Sequence, residues 1–221
     1  NMAVQQFLMM GRASAGRTII TGQMWVGLHN NYGQCGLGDA TDNKSTITQL
    51  GSLETWQNTD SPGASDGNRT VVISTGALWC WGRNNSGVLG LGDTTQRTSP
   101  VQVGSDTDWL ECISQASATS AIKTDGTLWT WGDNSVGQLG TGNTTARTSP
   151  AQIGSATDWA HVLQGGANND WLVAMKTDGG IYYSGTGVAG LSTVSSFTQI
   201  GTETGFTDAV LMGTNLVAWK E

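Results

Sequence analysis

The sequence predicts an all-β array of four-stranded units, and three observations carry that prediction. Residues 78–109, LWCWGRNNSGVLGLGDTTQRTSPVQVGSDTDW, and residues 128–159, LWTWGDNSVGQLGTGNTTARTSPAQIGSATDW, agree at 21 of 32 positions at a spacing of fifty residues. A period of this length marks stacked supersecondary units, none of which buries its apolar face alone. Glycine is frequent, at 32 of 221 residues, and proline rare, at 3, which points to many tight turns and away from collagen-like or low-complexity sequence. The apolar residues fall in short blocks that nowhere keep a helical period.

Each full unit follows one grammar. A strand, Thr119–Lys123, leads into Thr124-Asp125-Gly126, a hairpin turn whose glycine supplies positive φ. A second strand, Thr127–Trp131, precedes a glycine-rich loop from Gly132 to Asn143. Ser149-Pro150 reads as an extended turn, because proline disfavours helix in the residue before it. A short strand, Ala151–Ile153, then leads to Trp159 and a fourth apolar run, Ala160–Leu163. The loop glycines are expected where loops crowd the axis of the array. The units run over about 7–56, 57–109, 110–159 and 160–209, with a partial fifth at 210–221, all in one domain of 1–221.

The outer units are looser. In the first, Met24-Trp25 takes the second strand, and Gly33, Gly36, Gly38 and Asp39 match the loop. The insertion Asn58–Asn68 reads as a longer surface loop and, with Asp66, as a candidate contact. The fourth unit keeps Lys176–Gly179 and Ile181–Tyr183 but shortens its loop to Gly185–Gly190. Phe7–Gly11 aligns with Val162–Gly165 and Val210–Gly213, so the array starts and stops at nearly the same phase. That phase suits a blade completed by both termini, and equally an arc of a longer protein. Asn1 precedes Met2, which is not an ordinary translation start, and the opening residues lack a signal-peptide pattern.

These residues resemble the repeat of the regulator of chromosome condensation, RCC1. Its Trp-Gly, Asn and Gly-x-Leu-Gly-x-Gly-Asp/Asn signature is met by Trp81, Gly82, Asn84, Gly87, Leu89, Gly90, Gly92 and Asp93. It is met again by Trp131, Gly132, Asn134, Gly137, Leu139, Gly140, Gly142 and Asn143. The resemblance implies a β-propeller of RCC1-like four-stranded blades, here about four with a partial fifth. Trp25, Trp56, Trp79, Trp81, Trp109, Trp129, Trp131 and Trp159 are expected in the core between blades, with ligand stacking as the alternative.

Little in the chain points to chemistry. His29 and His161 occupy different repeat positions, and no His/Cys/Asp cluster has metal-ligand spacing. No serine sits in a nucleophile elbow, and the glycine loops lack the Lys-Ser/Thr ending of a phosphate loop. Cys35, Cys80 and Cys112 read as small buried thiols. Asp39, Asp93 and Asn143 share one repeat position, open either to turn chemistry or to an axial cation. Arg97 and Arg147 recur before Thr-Ser-Pro, open either to bracing a turn or to contacting a partner.

No catalytic residue, cofactor or metal is therefore expected. A formal net charge of −7 gives no attraction for nucleic-acid phosphates, and no apolar run is long enough to span a bilayer. The expected role is a non-catalytic scaffold with protein partners, including copies of itself. The resemblance extends to RCC1-type arrays in bacteriophage virion proteins, such as tail or capsid decoration components. It also extends to soluble propellers that act as GTPase exchange factors or enzyme inhibitors. A polysaccharide-cleaving propeller is the third class, and it would need acidic residues and tyrosines gathered at one loop level.

Overall fold

A computed structural model describes residues 21–41, 43–51, 56–57, 68–115, 117–163, 170–186, 190–212 and 215–220. Residues 58–67, with Asp66, and the Phe7–Gly11 segment lie outside these. The described chain is built of short strands and one three-residue 3-10 turn, Asn85–Gly87. Strands β1 (Thr21–Gly22), β2 (Trp25–Leu28) and β3 (Lys44–Gln49) come first. One sheet holds β4 (Trp56–Gln57), β5 (Arg69–Ser74), β6 (Ala77–Gly82) and β7 (Arg97–Gln102), with β1 added beside β4. The next holds β8 (Trp109–Ser114), β9 (Ala118–Lys123), β10 (Leu128–Gly132) and β11 (Arg147–Gln152). The third holds β12 (Trp159–Leu163), β13 (Trp171–Lys176), β14 (Ile181–Gly185) and β15 (Val194–Gln199). β16 (Asp208–Met212) pairs with β17 (Asn215–Trp219), and β2 with β3, as two-stranded sheets. Every pairing is antiparallel, and apart from β1 with β4 each joins strands consecutive in sequence. The tryptophan that closes each sequence unit thus opens the next sheet.

Successive sheets pack through their first two strands: β8 lies against β5, and β12 against β8 and β9. One core joins Val71, Ile73, Leu78 and Cys80 of the first sheet to Trp109, Cys112, Ala121 and Trp131 of the second. A second core joins Ile113, Ile122 and Leu128 to Trp159, Val162 and Ala174.

The fourth strand of each sheet is its outer edge, and it differs from the sequence reading. Ser99-Pro100 and Ser149-Pro150 are not turns but lie within β7 and β11. The ladder pairs Cys80 with Val101 and Gly82 with Arg97, so Thr98–Pro100 bulge opposite Trp81 alone. Proline is tolerated there because an edge bulge asks for no ladder hydrogen bond.

The glycine-rich loops seat against the outer strand of the following sheet. Gly92 N donates to Thr148 O and Gly142 N to Ser195 O, at 2.8 and 2.7 Å. A Cβ on Gly87 would lie 2.6 Å from Thr148 Cα, and Gly87 has φ of +75°, so both contact and conformation require glycine.

The third strand completes the lock between sheets. Trp81 donates its indole N–H to Gln34 O at 2.8 Å, and Trp131 donates to Val88 O at 2.9 Å. Each ring rests on a loop glycine of the preceding unit, Gly36 or Gly90. The next sheet reaches the same end with other residues. Ser184 replaces the tryptophan and donates to Gln138 O at 2.6 Å. Phe197, at the position of Pro150, packs its ring on Gly140 and 5.4 Å from Trp159. The aromatic volume has moved from the third strand to the fourth.

Trp81 and Trp131 are fully enclosed, Trp56, Trp109 and Trp159 nearly so, and Trp79 and Trp129 half-buried. Trp25 departs from the expected core and is 57% exposed. Trp79 packs edge-on to Trp56 and Trp129 to Trp109, each against the tryptophan that opens its own sheet. Among the described residues no such ring stands beside Trp25, and Gly27 takes the place of the enclosed tryptophan.

Two substitutions test the swap in the third sheet. Phe197→Ala removes a partly buried ring and is expected to cost up to about 3 kcal/mol in denaturant unfolding, the low end of the range for a core phenylalanine. Ser184→Trp alone is expected to destabilise through overpacking against Phe197, and Ser184→Trp with Phe197→Pro to recover much of that loss.

Candidate functional site

The polar residues of the repeat hold the loops together. Asn134 is buried, and its amide donates to Asn143 O at 2.9 Å and Thr145 O at 3.0 Å while its oxygen accepts from Leu139 N at 2.9 Å. Asn84 does the same with Asp93 O, Thr95 O and Leu89 N. Asn30, a residue the sequence reading did not single out, repeats the arrangement with Asp39 O and Cys35 N. Its signal was the spacing of nine residues to the loop aspartate.

Asp93 and Asn143 turn the loop exits. Asp93 Oδ1 accepts from Thr95 N at 2.8 Å, and Asn143 Oδ1 from Thr145 N at 2.9 Å. Asp93 also holds Arg97 at 2.7 Å, and Asp39 holds Lys44 at 2.8 Å. The Arg97 hydrogen bond, then the Thr95 amide, keep the Asp93 carboxyl below the ordinary aspartate value. Arg97 also donates to Thr95 O at 2.6 Å, so it braces its own loop, whereas Arg147 is exposed beside the neutral Asn143. Among the described residues no group of three or more His, Cys, Asp or Glu is placed to hold a metal ion. His161 Nδ1 meets the buried Glu111 at 3.2 Å across two sheets, and His29 meets Gln34 at 3.0 Å. Cys35, Cys80 and Cys112 are free and buried, and burial pushes the Cys80 thiol far above its ordinary pKa.

A further repeated feature escaped the sequence reading: a lysine seat. Lys123 faces Trp109 across the first two strands of its sheet, and its ammonium lies 4.9 Å from the Trp109 ring and 5.0 Å from Trp129. Asp106 at 2.6 Å and Asp108 at 3.1 Å close the seat. Burial lowers the Lys123 pKa, but the two carboxylates outweigh it and leave it above the ordinary lysine value. Lys176 faces Trp159 in the same register, over Trp159 at 5.1 Å and Tyr182 at 5.2 Å, with Asp158 at 3.0 Å. Lys220 lies over Phe206 at 4.8 Å with Glu203 at 2.6 Å. Cation–π attraction plus a carboxylate fixes each ammonium. The signal was available as Lys-Thr-Asp-Gly, fourteen residues after Trp109 and seventeen after Trp159.

Equivalent grooves open between sheets. One of about 540 Å³ is lined by Leu91, Arg97, Asp106, Trp109, Trp129 and Pro150. One of about 380 Å³ is lined by Leu37, Leu50, Trp56, Trp79, Ser99 and Pro100.

Residues 75–119 and 125–167 match the family model described as the regulator of chromosome condensation (RCC1) repeat. A mouse protein, X-linked retinitis pigmentosa GTPase regulator, is 32% identical over 92 residues, which is 41% of this chain and 9% of that protein. Yeast (Saccharomyces cerevisiae) Prp20p superposes with a TM-score of 0.72 at 16% identity, over 89% of this chain and 51% of Prp20p. Human WBSCR16 superposes with a TM-score of 0.63 at 18% identity, over 77% of this chain and 45% of WBSCR16. The chain spans about half or less of the length of each. The fold is an RCC1-like β-propeller of antiparallel four-stranded blades. No helix among the described residues is long and apolar enough to cross a membrane.

Asn134→Ala strands a buried amide N–H and two carbonyls, and is expected to cost on the order of 3 kcal/mol in denaturant unfolding. Asp93→Asn keeps the turn acceptor and is expected to fold normally, as Asn143 does in the next loop. Because the folded Asp93 carboxyl sits below its unfolded value, its contribution is present above about pH 4 and is lost as pH falls through the folded value. The stability gap between wild type and Asp93→Asn is therefore expected to shrink between about pH 5 and pH 2.

Proposed function

We propose that this protein is a non-catalytic propeller that works by protein contact. One observation carries the reading. The polar residues that recur from unit to unit, Asn84, Asn134, Asp93 and Asn143, spend their hydrogen bonds inside the loops. What is left for a partner is the remaining surface, including the exposed Arg147 and the half-buried Trp79 and Trp129.

A regulatory or inhibitory binder is the form that the similar proteins support. The mouse relative is a GTPase regulator, and Prp20p is described by its binding to Gsp1p and histones. For this chain the net charge of −7 favours a basic protein face over nucleic acid. A bacteriophage virion component is the second reading. Its support is the sparse charge, 12% of residues, and the Thr- and Ser-rich outer strands, which suit an assembly surface.

Sedimentation of native source material, with cross-linking mass spectrometry of each fraction, separates these outcomes. The regulatory reading expects a slow-sedimenting complex with one partner protein in fixed stoichiometry. The virion reading expects the chain at fixed stoichiometry in a particle-sized fraction. A chain that cross-links to no protein in any fraction contradicts the proposal.

A further inference from the structure

The two sheets that hold only two strands are complementary halves. β17 is a second strand: it pairs with the first strand β16, and Lys220 lies over Phe206 as Lys176 lies over Trp159. In the complete sheets a third strand covers the second, and Trp171, Val173 and Met175 of β13 are at most 3% exposed. The matching residues of β17, counted back from Lys220, are Asn215, Val217 and Trp219, and all three are exposed. β2 and β3 are third and fourth strands, because Trp25 pairs with Gln49 as Trp129 pairs with Gln152. Ile47 stands at the position of Phe197, yet it is 68% exposed where Phe197 packs on the preceding loop. Among the described residues six large apolar side chains are exposed, and five of them, Trp25, Leu28, Ile47, Val217 and Trp219, lie on these two half-sheets. The exposed apolar surface thus gathers where strands are missing, and neither half-sheet has a further ladder partner among the described residues.

We propose that the third and fourth strands beside β17 are β2 and β3 of a second copy of this chain, so that two copies close into one ring. An edge strand with free N–H and C=O groups accepts an added strand, and the addition here also covers the exposed apolar residues. The complete sheets set the register. Ala174 faces Tyr182 and Val173 faces Tyr183, as Ala121 faces Trp129, which places Ala218 opposite Trp25 and Val217 opposite Val26 of the second copy. The occupant is a second copy because the chain carries both halves in matching phase: one end lacks the strands that the other end presents. The contact is head-to-tail, and such contacts close into a ring when the rotation fits. Superposed on Prp20p, 89% of this chain takes up 51% of that chain, so two such arcs suffice for a ring. The inference goes beyond the protein-contact reading and does not rest on it.

Analytical ultracentrifugation of the purified 221-residue chain is expected to show twice the mass of one chain. Trp25→Glu and Trp219→Glu change side chains that are already exposed in the single chain. Each is expected to keep a cooperative thermal transition and to reduce the particle to the mass of one chain. Cross-linking reads the register. Val26→Cys chains and differently tagged Val217→Cys chains are co-expressed and treated with a short bismethanethiosulfonate, while the buried Cys35, Cys80 and Cys112 stay out of its reach. The two variants are expected to join to each other, and neither to itself, because strands in that register bring the two positions directly opposite. Three results overturn the proposal: a single-chain mass for the wild type at every concentration, a double mass that persists in both glutamate variants, or cross-links that form as readily within one cysteine variant as between the two. None of them touches the protein-contact reading, which is tested on native source material and concerns a different partner.

Discussion

The array depends on one contact, in which an aromatic ring of one blade packs against a glycine of the preceding loop. Trp131 rests on Gly90 and donates to Val88 O, and Trp81 rests on Gly36 and donates to Gln34 O. The ring needs the absent side chain: a Cβ on Gly90 would lie 2.7 Å from the Trp131 indole nitrogen. The loop in turn needs its buried asparagine, because Asn84 fixes the Val88–Leu89 turn that presents the accepting carbonyl. The outer strand then closes over the loop through Gly92 N and Thr148 O. Packing, loop conformation and strand pairing are thus one cooperative unit per interface, as expected of a quasi-one-dimensional repeat.

The interface between the second and third complete sheets shows what is required and what is not. Tryptophan is dispensable there, because Ser184 keeps the hydrogen bond and Phe197 keeps the aromatic volume. A donor to the loop carbonyl and a ring on the loop glycine are what recur. The lysine seats are decoration on this frame, since Ser74 stands in that register without disturbing the ladder from Arg69 to Ser74.

Much of this was legible in the sequence. The fifty-residue period, the Gly-x-Leu-Gly-x-Gly loop and the Thr-Asp-Gly hairpin placed the two hairpin strands and the strand after the closing tryptophan of the central units within a residue or two, but started the outer strand at Ala151 where it begins at Arg147. The loop asparagines and Asp93 were readable as turn chemistry because their side chains bond locally. What was not legible involved partners distant in sequence. Ser-Pro read as a turn because the bulge that accommodates it lies opposite Trp81, eighteen residues before Ser99. Trp25 read as core because its pattern matches Trp79, while burial depends on a ring from another strand. The outer strand that the glycine loops approach was not legible either, because glycine signals close approach without saying to what.

The central claim is that ring and glycine act as one contact, and a double-mutant cycle on Gly90→Ala and Trp131→Ala, read by denaturant unfolding, tests it most directly. With Trp131 present, the added methyl meets both the ring and a φ of +76°; with Trp131→Ala, only the backbone strain remains. The account predicts that Gly90→Ala costs clearly less in the Trp131→Ala background, with a coupling on the order of 1–3 kcal/mol. Strict additivity of the two substitutions would contradict it.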